Sequence, residues 1–419
     1  MDVTVDWGDT NSDTYITVGN QEHTYAVEGI YTVSISGSLT QFGKGQSLTP
    51  NIDKLVKVTS FGDIGLTSLY GAFNLAANLI ELPTVLPSTV ENLNSMLRGA
   101  SNFNFDIGGW DVSNVTNMGH MFSSAIVFDQ DISTWNVGKV TDMESMFYQC
   151  LVFNQDIGGW NVSSVKNMGS MFNKARAFNQ NIGGWNVSSV TQMGYMFASA
   201  LVFDQDISGW DVSKVSSMMS MFSLNKVFNQ DISGWEVSNV SNMKWMFQNA
   251  TAFDQNIGSW NLRKVSDMTD MFIGVTLSTA NYDNLLIGWA AQTLKSTVVF
   301  NGGNSKYSSG AAAAARAVLT GTYGWTITDG GQEIPSAVTS TDVNNLSIYP
   351  NPTNGIVHLD LVGKRIQNLK IVDVTGKIIA ENNRVNPTET IDLSNFANGL
   401  YLIILQTENG TQPFKLIKE

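Results

Sequence analysis

From residue 90 to residue 275 the apolar positions of the chain recur with a fixed period. Tryptophan stands at Trp110, Trp135, Trp160, Trp185, Trp210, Trp235 and Trp260, each 25 residues after the last. One period carries Val115, Met118, Met121, Phe122 and Ala125, then Phe128, Ile132, Trp135 and Val137, with small and polar residues between. The first five follow an i, i+3, i+6, i+7, i+10 spacing, one face of two or three helical turns. The last four mark an extended segment and a turn. The pattern therefore predicts a short helix and a short strand in each coil. A fixed period in this range points to a stacked array rather than one globular core.

If neighbouring coils pair their strands at ~4.8 Å, like side chains form columns, and six tryptophan steps span roughly 29 Å, or about 45–50 Å with caps. Fourteen of the 17 methionines fall in two such columns, from Met118 and Met121 to Met268 and Met271. An unbranched thioether adapts to imperfect register. A lone coil would not fold. Burying some eight large apolar side chains yields roughly 12–24 kcal/mol, against roughly 35–40 kcal/mol to order 25 residues. The rest must come from the neighbours.

The template weakens at both ends. Val90, Leu93, Met96, Leu97 and Phe103 match one period upstream, and Leu66, Leu69, Ala72 and Phe73 one step earlier. Downstream the pattern breaks at Ser278-Thr-Ala-Asn-Tyr282, and residues 276–330 are expected to close the array, with a short helix at Ala311 to Ala315 and a last strand at Trp325-Thr-Ile-Thr. The domain reading is 1–37, a truncated β piece; 38–89, an N-terminal cap with a degenerate repeat; 90–275, the repeats; 276–330, a C-terminal cap; 331–345, a polar linker; and 346–419, a small β-sandwich of about seven strands.

Composition narrows the function. Charged residues make up 14% and the net charge is −13, which argues against nucleic acid or an anionic membrane as partner. The single cysteine, Cys150, permits no internal disulfide. It falls in the small-residue column of Ala125, Ala175, Ala200 and Ala250 and is read as a buried apolar residue. There is no apolar run long enough for a transmembrane helix, and the first residues contain no signal-peptide pattern. His23, His120 and His358 lie in three separate regions, so a histidine metal site or a Ser-His-Asp triad is not expected.

Phe128-Asp129-Gln130-Asp131-Ile132 recurs as Phe153-Asn-Gln-Asp, Phe178-Asn-Gln-Asn, Phe203-Asp-Gln-Asp, Phe228-Asn-Gln-Asp and Phe253-Asp-Gln-Asn. These columns are read as a hydrogen-bonded amide ladder. Calcium between stacked carboxylates is the alternative, against which the free mixing of Asp and Asn counts. His120, Tyr195 and Trp245 share one slot, expected to face outward on the helix, with Ser145, Ser170, Ser220 and Asp270 in the other coils; it is read as a variable solvent face. The sequence singles out no catalytic, cofactor-binding or metal-ligating residue.

Three resemblances add to this. Asp6-Trp7-Gly8-Asp9-Thr10 followed by His23-Thr24-Tyr25, with strand alternation to Val33, resembles the latter part of a PKD-type β-sandwich, with Thr10 where that motif has glycine. The repeat Trp-Asn-Val-x-x-Val-Thr-x-Met-x-x-Met-Phe, as from Trp135 to Phe147, resembles BspA-like leucine-rich-repeat surface proteins in the variant known from mycoplasma surface lipoproteins. That resemblance covers about residues 60–330 and implies a leucine-rich-repeat-like solenoid. Tyr349-Pro350-Asn351-Pro352, Asp373-Val374-Thr375-Gly376-Lys377, Asn398-Gly399-Leu400-Tyr401 and Lys415-Leu416-Ile417-Lys418 resemble the type A C-terminal sorting domain of the Bacteroidetes type IX secretion system. It implies translocation across the outer membrane, usually with removal of this domain and release or surface attachment.

The expectation is a repeat solenoid flanked by β-sandwich-type domains, secreted or attached to the outer-membrane surface. It would engage the secretion machinery through 346–419 and present its surface to an extracellular protein or polysaccharide. The founding members of the wider family are adhesins of host matrix proteins. A structural coat or spacer without a specific ligand is the alternative. No enzyme activity and no cofactor are expected.

Overall fold

A computed structural model describes residues 1–45, 47, 50–333, 347–360, 366–383, 388–407 and 410–419. The chain divides into two compact units, 1–333 and 334–419. The polar linker read at 331–345 lies, after its first three residues, outside the described residues.

The first unit begins with an antiparallel sheet of β1 (Asp2–Asp6), β2 (Ser12–Tyr15) and β3 (Ser34–Ser38), in the order β2-β1-β3, with Val3 and Val5 buried. The strand expected over residues 23–33 does not form. Its side chains are engaged in another way. His23 stacks on Trp7 at 4.9 Å and hydrogen-bonds Asp9 at 2.7 Å, while Tyr25 stacks on Tyr31 at 4.0 Å and donates its hydroxyl to the Trp7 carbonyl. The hydrogen bond from His23 holds the Asp9 carboxyl below the usual carboxylate value.

In the repeats, equivalent residues do lie over one another, but by a different local structure from the one expected. Parallel one-residue bridges link Gln41 to Ser68, Ser68 to Asn92, Asn92 to Asn117, and so on through Asn242 to Asp267. The stack therefore starts at Gln41, earlier than the template shows. The helix expected over residues 115–125 is absent. Met121, Ser123 and Ala125 donate their N–H groups back to Met118, His120 and Phe122 in tight turns. Met118, His120, Phe122 and Ser124 donate theirs forward to Asp142, Glu144, Met146 and Tyr148 of the next coil. An α-helix uses every interior N–H internally, whereas this segment divides its donors between its own turn and its neighbour. Two left-handed residues in the coil, His120 at φ 56° and Ser124 at φ 61°, make that division possible. Glycine and serine around them (Gly119, Ser123, Ser124) weaken the helical competitor. The i, i+3 spacing is common to helices and to chains of three-residue turns, so the periodicity alone did not separate them.

The strand expected over residues 128–137 is also absent; the bridged position is on the Asn117 side of the coil. Every column residue is nonetheless buried: the methionines, phenylalanines and Ile132-type positions are at 0–1% exposure and the tryptophans at 1–4%. Phe122 and Phe128 stack face to face at 4.1 Å within a coil, as do Phe172 and Phe178 at 3.9 Å.

Spacing between coils grows across the section. Phe122 to Phe147 is 5.7 Å, Phe128 to Phe153 is 6.1 Å, and Trp135 to Trp160 is 6.5 Å. A pure translation would give one value for all three. Successive coils are therefore rotated as well as stacked, opening away from the bridged edge. The single ~4.8 Å step expected for the columns applies to paired backbone, not to the ring columns.

Each indole N–H closes the far side of the coil. Trp185 Nε1 donates to the Ile157 carbonyl at 3.1 Å and Trp210 Nε1 to that of Ile182 at 3.2 Å, one coil back. The same carbonyls accept the backbone N–H groups of Trp160 and Trp185 within their own coils.

The downstream cap holds two helices, α1 (Thr279–Ala290) and α2 (Ala311–Gly321), and a parallel pair, β4 (Val299–Asn301) with β5 (Thr326–Thr328). The break at Ser278 is a helix start: its hydroxyl accepts the Asn281 N–H. Tyr282, Leu285, Leu286 and Trp289 form the buried face, and Trp289 Nε1 donates to the Ile257 carbonyl at 3.1 Å, continuing the indole column from a helix. The last turn is pinned by Asp329, whose carboxylate takes Arg316 Nε at 2.7 Å and the Tyr282 hydroxyl at 2.9 Å.

Among its described residues the second unit has seven strands: β6 (Ser347–Tyr349), β7 (Ile356–Asp360), β8 (Ile366–Asp373), β9 (Ile378–Asn382), β10 (Thr388–Asp392), β11 (Gly399–Thr407) and β12 (Gly410–Lys418). They make two antiparallel sheets, β10-β7-β6 and β12-β11-β8-β9. Val357 and Leu359 of the first and Leu369, Ile371, Ile403 and Leu416 of the second share one apolar core.

Replacing Trp185 with Phe removes one indole donor and leaves a void beside Ile157. The substitution should cost about 1–3 kcal/mol, read as a lower midpoint in urea. A change below about 0.5 kcal/mol would show that the indole column contributes little.

Candidate functional site

The outward side of the coil is built from short polar side chains with fixed tasks. Asp129 Oδ1 accepts the Asn154 N–H at 2.9 Å, Asn154 Oδ1 the Asn179 N–H at 2.9 Å, Asn179 Oδ1 the Asp204 N–H at 3.1 Å, and Asp204 Oδ1 the Asn229 N–H at 3.0 Å. Gln155, Gln205 and Gln230 add their amides to the same oxygens at 2.9–3.0 Å. This is the amide ladder read from the sequence. It explains why Asp and Asn alternate freely: the task needs one oxygen acceptor, which both supply.

Three further columns cap turns two residues ahead. Asp131, Asp206 and Asp231 accept the N–H groups of Ser133, Ser208 and Ser233. Asp111 and Asp211 do the same for Ser113 and Ser213, and Asn117, Asp142 and Asn167 for the residues at 119, 144 and 169. Hydroxyl and N–H donation from those serines holds Asp111, Asp131, Asp206, Asp211 and Asp231 below the ordinary carboxylate value. Among the described residues no group of three or more His, Cys, Asp or Glu side chains gathers in a metal-holding cluster.

The shared slot of His120, Tyr195 and Trp245 is not a helix face. All seven residues in it have left-handed backbones, φ 53–60°. Ser145 and Ser220 are buried there and the other five half-buried. Burial pulls the His120 imidazole below its usual value, against the opposing charge of Glu144. Cys150 is fully buried, donates its Sγ–H to the Phe122 carbonyl at 2.9 Å, and has its thiol pushed far up by that burial. A thiol so placed is a poor nucleophile.

One surface feature was not read from the sequence. The two positions after the small-residue column hold Ile126-Val127, Leu151-Val152, Arg176-Ala177, Leu201-Val202, Lys226-Val227 and Thr251-Ala252. Ile126, Val127, Val152, Leu201, Val202 and Val227 are 38–45% exposed. They form an aliphatic row along the coils, broken at Arg176-Ala177, two residues ahead of the Asp/Asn ladder column of Asp129, Asn154 and Asn179. The apolar pair out of phase with the core spacing was the available signal.

Two open depressions flank the repeats. One, of about 600 Å³, lies between residues 59–63 and 83–89 and includes Phe61, Asp63, Pro83 and Val85. The other, of about 550 Å³, includes Asn261, Arg263 and Gln292. Neither contains a carboxylate pair or a histidine.

Such a chain, with 25-residue coils stacked between caps and bound to one another through backbone and amide ladders, is a repeat protein. Residues 67–185 and 173–285 match the family described as Mycoplasma protein of unknown function, DUF285; these matches span more than half of the chain, which belongs to that family. Residues 347–419 match the Secretion system C-terminal sorting domain. That domain assigns the chain to export by the type IX machinery, to the cell surface or the medium. No helix among the described residues is long and apolar enough to cross a membrane. No curated protein matches the chain. Among solved structures it is similar to the functional domain of InlJ from Listeria monocytogenes, which includes a cysteine ladder, at 12% identity over 88% of this chain and 91% of that one, with a TM-score of 0.16.

The lowered carboxylates make a pH prediction. A carboxyl whose folded pKa lies below its unfolded value of about 3.9 adds stability at higher pH and loses it as pH falls through the folded value. The thermal midpoint should therefore drop between about pH 5 and pH 3. Asp131→Asn, Asp206→Asn and Asp231→Asn together keep the acceptor oxygen but not the titration. The triple variant should lose less over that interval than the parent; an equal loss would exclude these turns as the source.

Proposed function

We propose that this protein is a secreted or surface-attached adhesin-like binder whose stacked coils form a leucine-rich-repeat-like solenoid and which has no enzymatic activity. The aliphatic row from Ile126 to Val227 carries this reading. Exposed apolar side chains that recur in coil after coil, with a break at Arg176-Ala177, favour an interaction surface. The row favours a protein partner, with polysaccharide as the other extracellular ligand class. Residues 1–37 act as a PKD-like front piece. The sorting domain is removed on export, as in its Bacteroidetes counterparts.

The coat reading draws its support from the recurring Ser, Asn and Gly of the turns, and binding separates the two. The full chain screened against matrix-protein and glycan arrays should show saturable binding. Ile126→Ser, Val152→Ser and Val202→Ser together should weaken binding of a matrix-protein ligand at least about tenfold, about 1.4 kcal/mol, without shifting the thermal midpoint by more than a few degrees. No binding on either array would favour the coat.

Deleting residues 346–419 should leave folded protein in the periplasm, seen by fractionation and protease resistance. Normal appearance of the truncated chain outside the cell would overturn the assignment of export to this segment.

A further inference from the structure

We propose that Tyr195 and Trp245 are the two platforms of a binding site for an uncharged, extended β-1,4-linked glycan. The inference rests on the reading of the stack as a binding surface and names a ligand class for one face of it.

The backbone supplies the first observation. Tyr195 and Trp245 stand at φ 60° and 59°. Left-handed backbone suits glycine, asparagine or aspartate and is an outlier for a bulky residue. The structural task of the slot does not require a ring. Tyr195 donates its N–H to the Met219 carbonyl, Trp245 to that of Thr269, and between them Ser220 makes the same bond to Lys244. Serine fills the slot in three of the seven coils. Two large aromatics held in an unfavourable conformation, where serine serves the fold, point to a use outside it.

Their surroundings supply the second. Both side chains are half-buried, and Ser220, in the coil between them, is only 2% exposed. The Lys244 ammonium sits 4.1 Å from the centre of the Trp245 ring and covers one of its faces, which leaves the opposite face for a sugar. Gln192 donates an amide N–H to the Ser216 hydroxyl at 3.0 Å, and Asn242 lies on the same bridged column as Gln192. Amides and hydroxyls beside aromatic faces are the groups that take sugar hydroxyls and the apolar faces of sugar rings. Two coil steps at the paired edge span ~10 Å, comparable with the disaccharide repeat at which an extended β-1,4-linked chain presents the same ring face.

Calorimetric titration of the full chain with cellohexaose and chitohexaose tests this, with maltohexaose, whose α-linked chain coils, as the control. One of the β-1,4 hexaoses should bind at least tenfold more tightly than maltohexaose. Tyr195→Ser and Trp245→Ser, which install the residue already used in three coils, should each weaken that binding at least tenfold with the thermal midpoint unchanged. No heat with either β-1,4 hexaose, or undiminished binding by both serine variants, overturns the proposal. If the variants lose a matrix-protein ligand while no hexaose binds, the glycan site fails and the binding-surface reading stands. If the parent binds neither hexaoses nor anything on the arrays, both fail.

Discussion

The structure depends on how one short segment distributes its backbone donors. In residues 118–125 alternate N–H groups turn inward to their own coil and forward to the next. Such a segment is incomplete by itself, because half of its hydrogen bonds need a neighbour. Its apolar side chains, facing the same way in each coil, likewise need a neighbour to cover them. Hydrogen bonding and burial therefore demand the same partner at the same register. Stability in such an array is a sum of nearest-neighbour terms. That agrees with the cap, where helix α1 replaces the coil backbone yet still delivers Trp289 to the indole column.

Much of the core was legible because burial follows composition and period. A tryptophan every 25 residues, methionines in two registers and an alanine column occupied once by Cys150 all became buried columns. What stayed hidden was the backbone conformation between them. The spacing of Val115, Met118, Met121 and Phe122 fits helical turns and three-residue turns equally, and only the left-handed residues at 120 and 124 decide between them. Helix α1 carried its own signals, a Ser278 cap and an i, i+3, i+4, i+7 apolar face, but they began where the repeat template ended. In the N-terminal piece, the alternation in residues 23–33 suggested a strand, and stacking of His23 on Trp7 and of Tyr25 on Tyr31 took those side chains instead. For the surface, the ladder of Asp129, Asn154 and Asn179 was readable from its amide pattern. The aliphatic row had only a weak signal, an apolar pair such as Ile126 and Val127 out of phase with the core spacing, and the fold shows which side that pair occupies.

The abundance of Asp, Asn and Ser has a structural cause. Each coil must turn several times within 25 residues, and each turn leaves an N–H that a short oxygen-bearing side chain can take. Asp111, Asp131, Asp206, Asp211 and Asp231 each give one carboxylate oxygen to such a donor. The large ionisable groups that remain, such as Asp329 with Arg316, close the cap.

The interchangeability of Asp and Asn in the ladder bears on how such a chain changes over generations. Since any coil presents the same donors above and the same acceptors below, a whole coil can be duplicated or lost between two others with no bond left open at the junction. Recombination between near-identical gene segments would then alter the length of the stack in single-coil steps. Exposed side chains such as Val202 would remain free to vary one by one, so the reach of the molecule and the character of its surface can evolve separately.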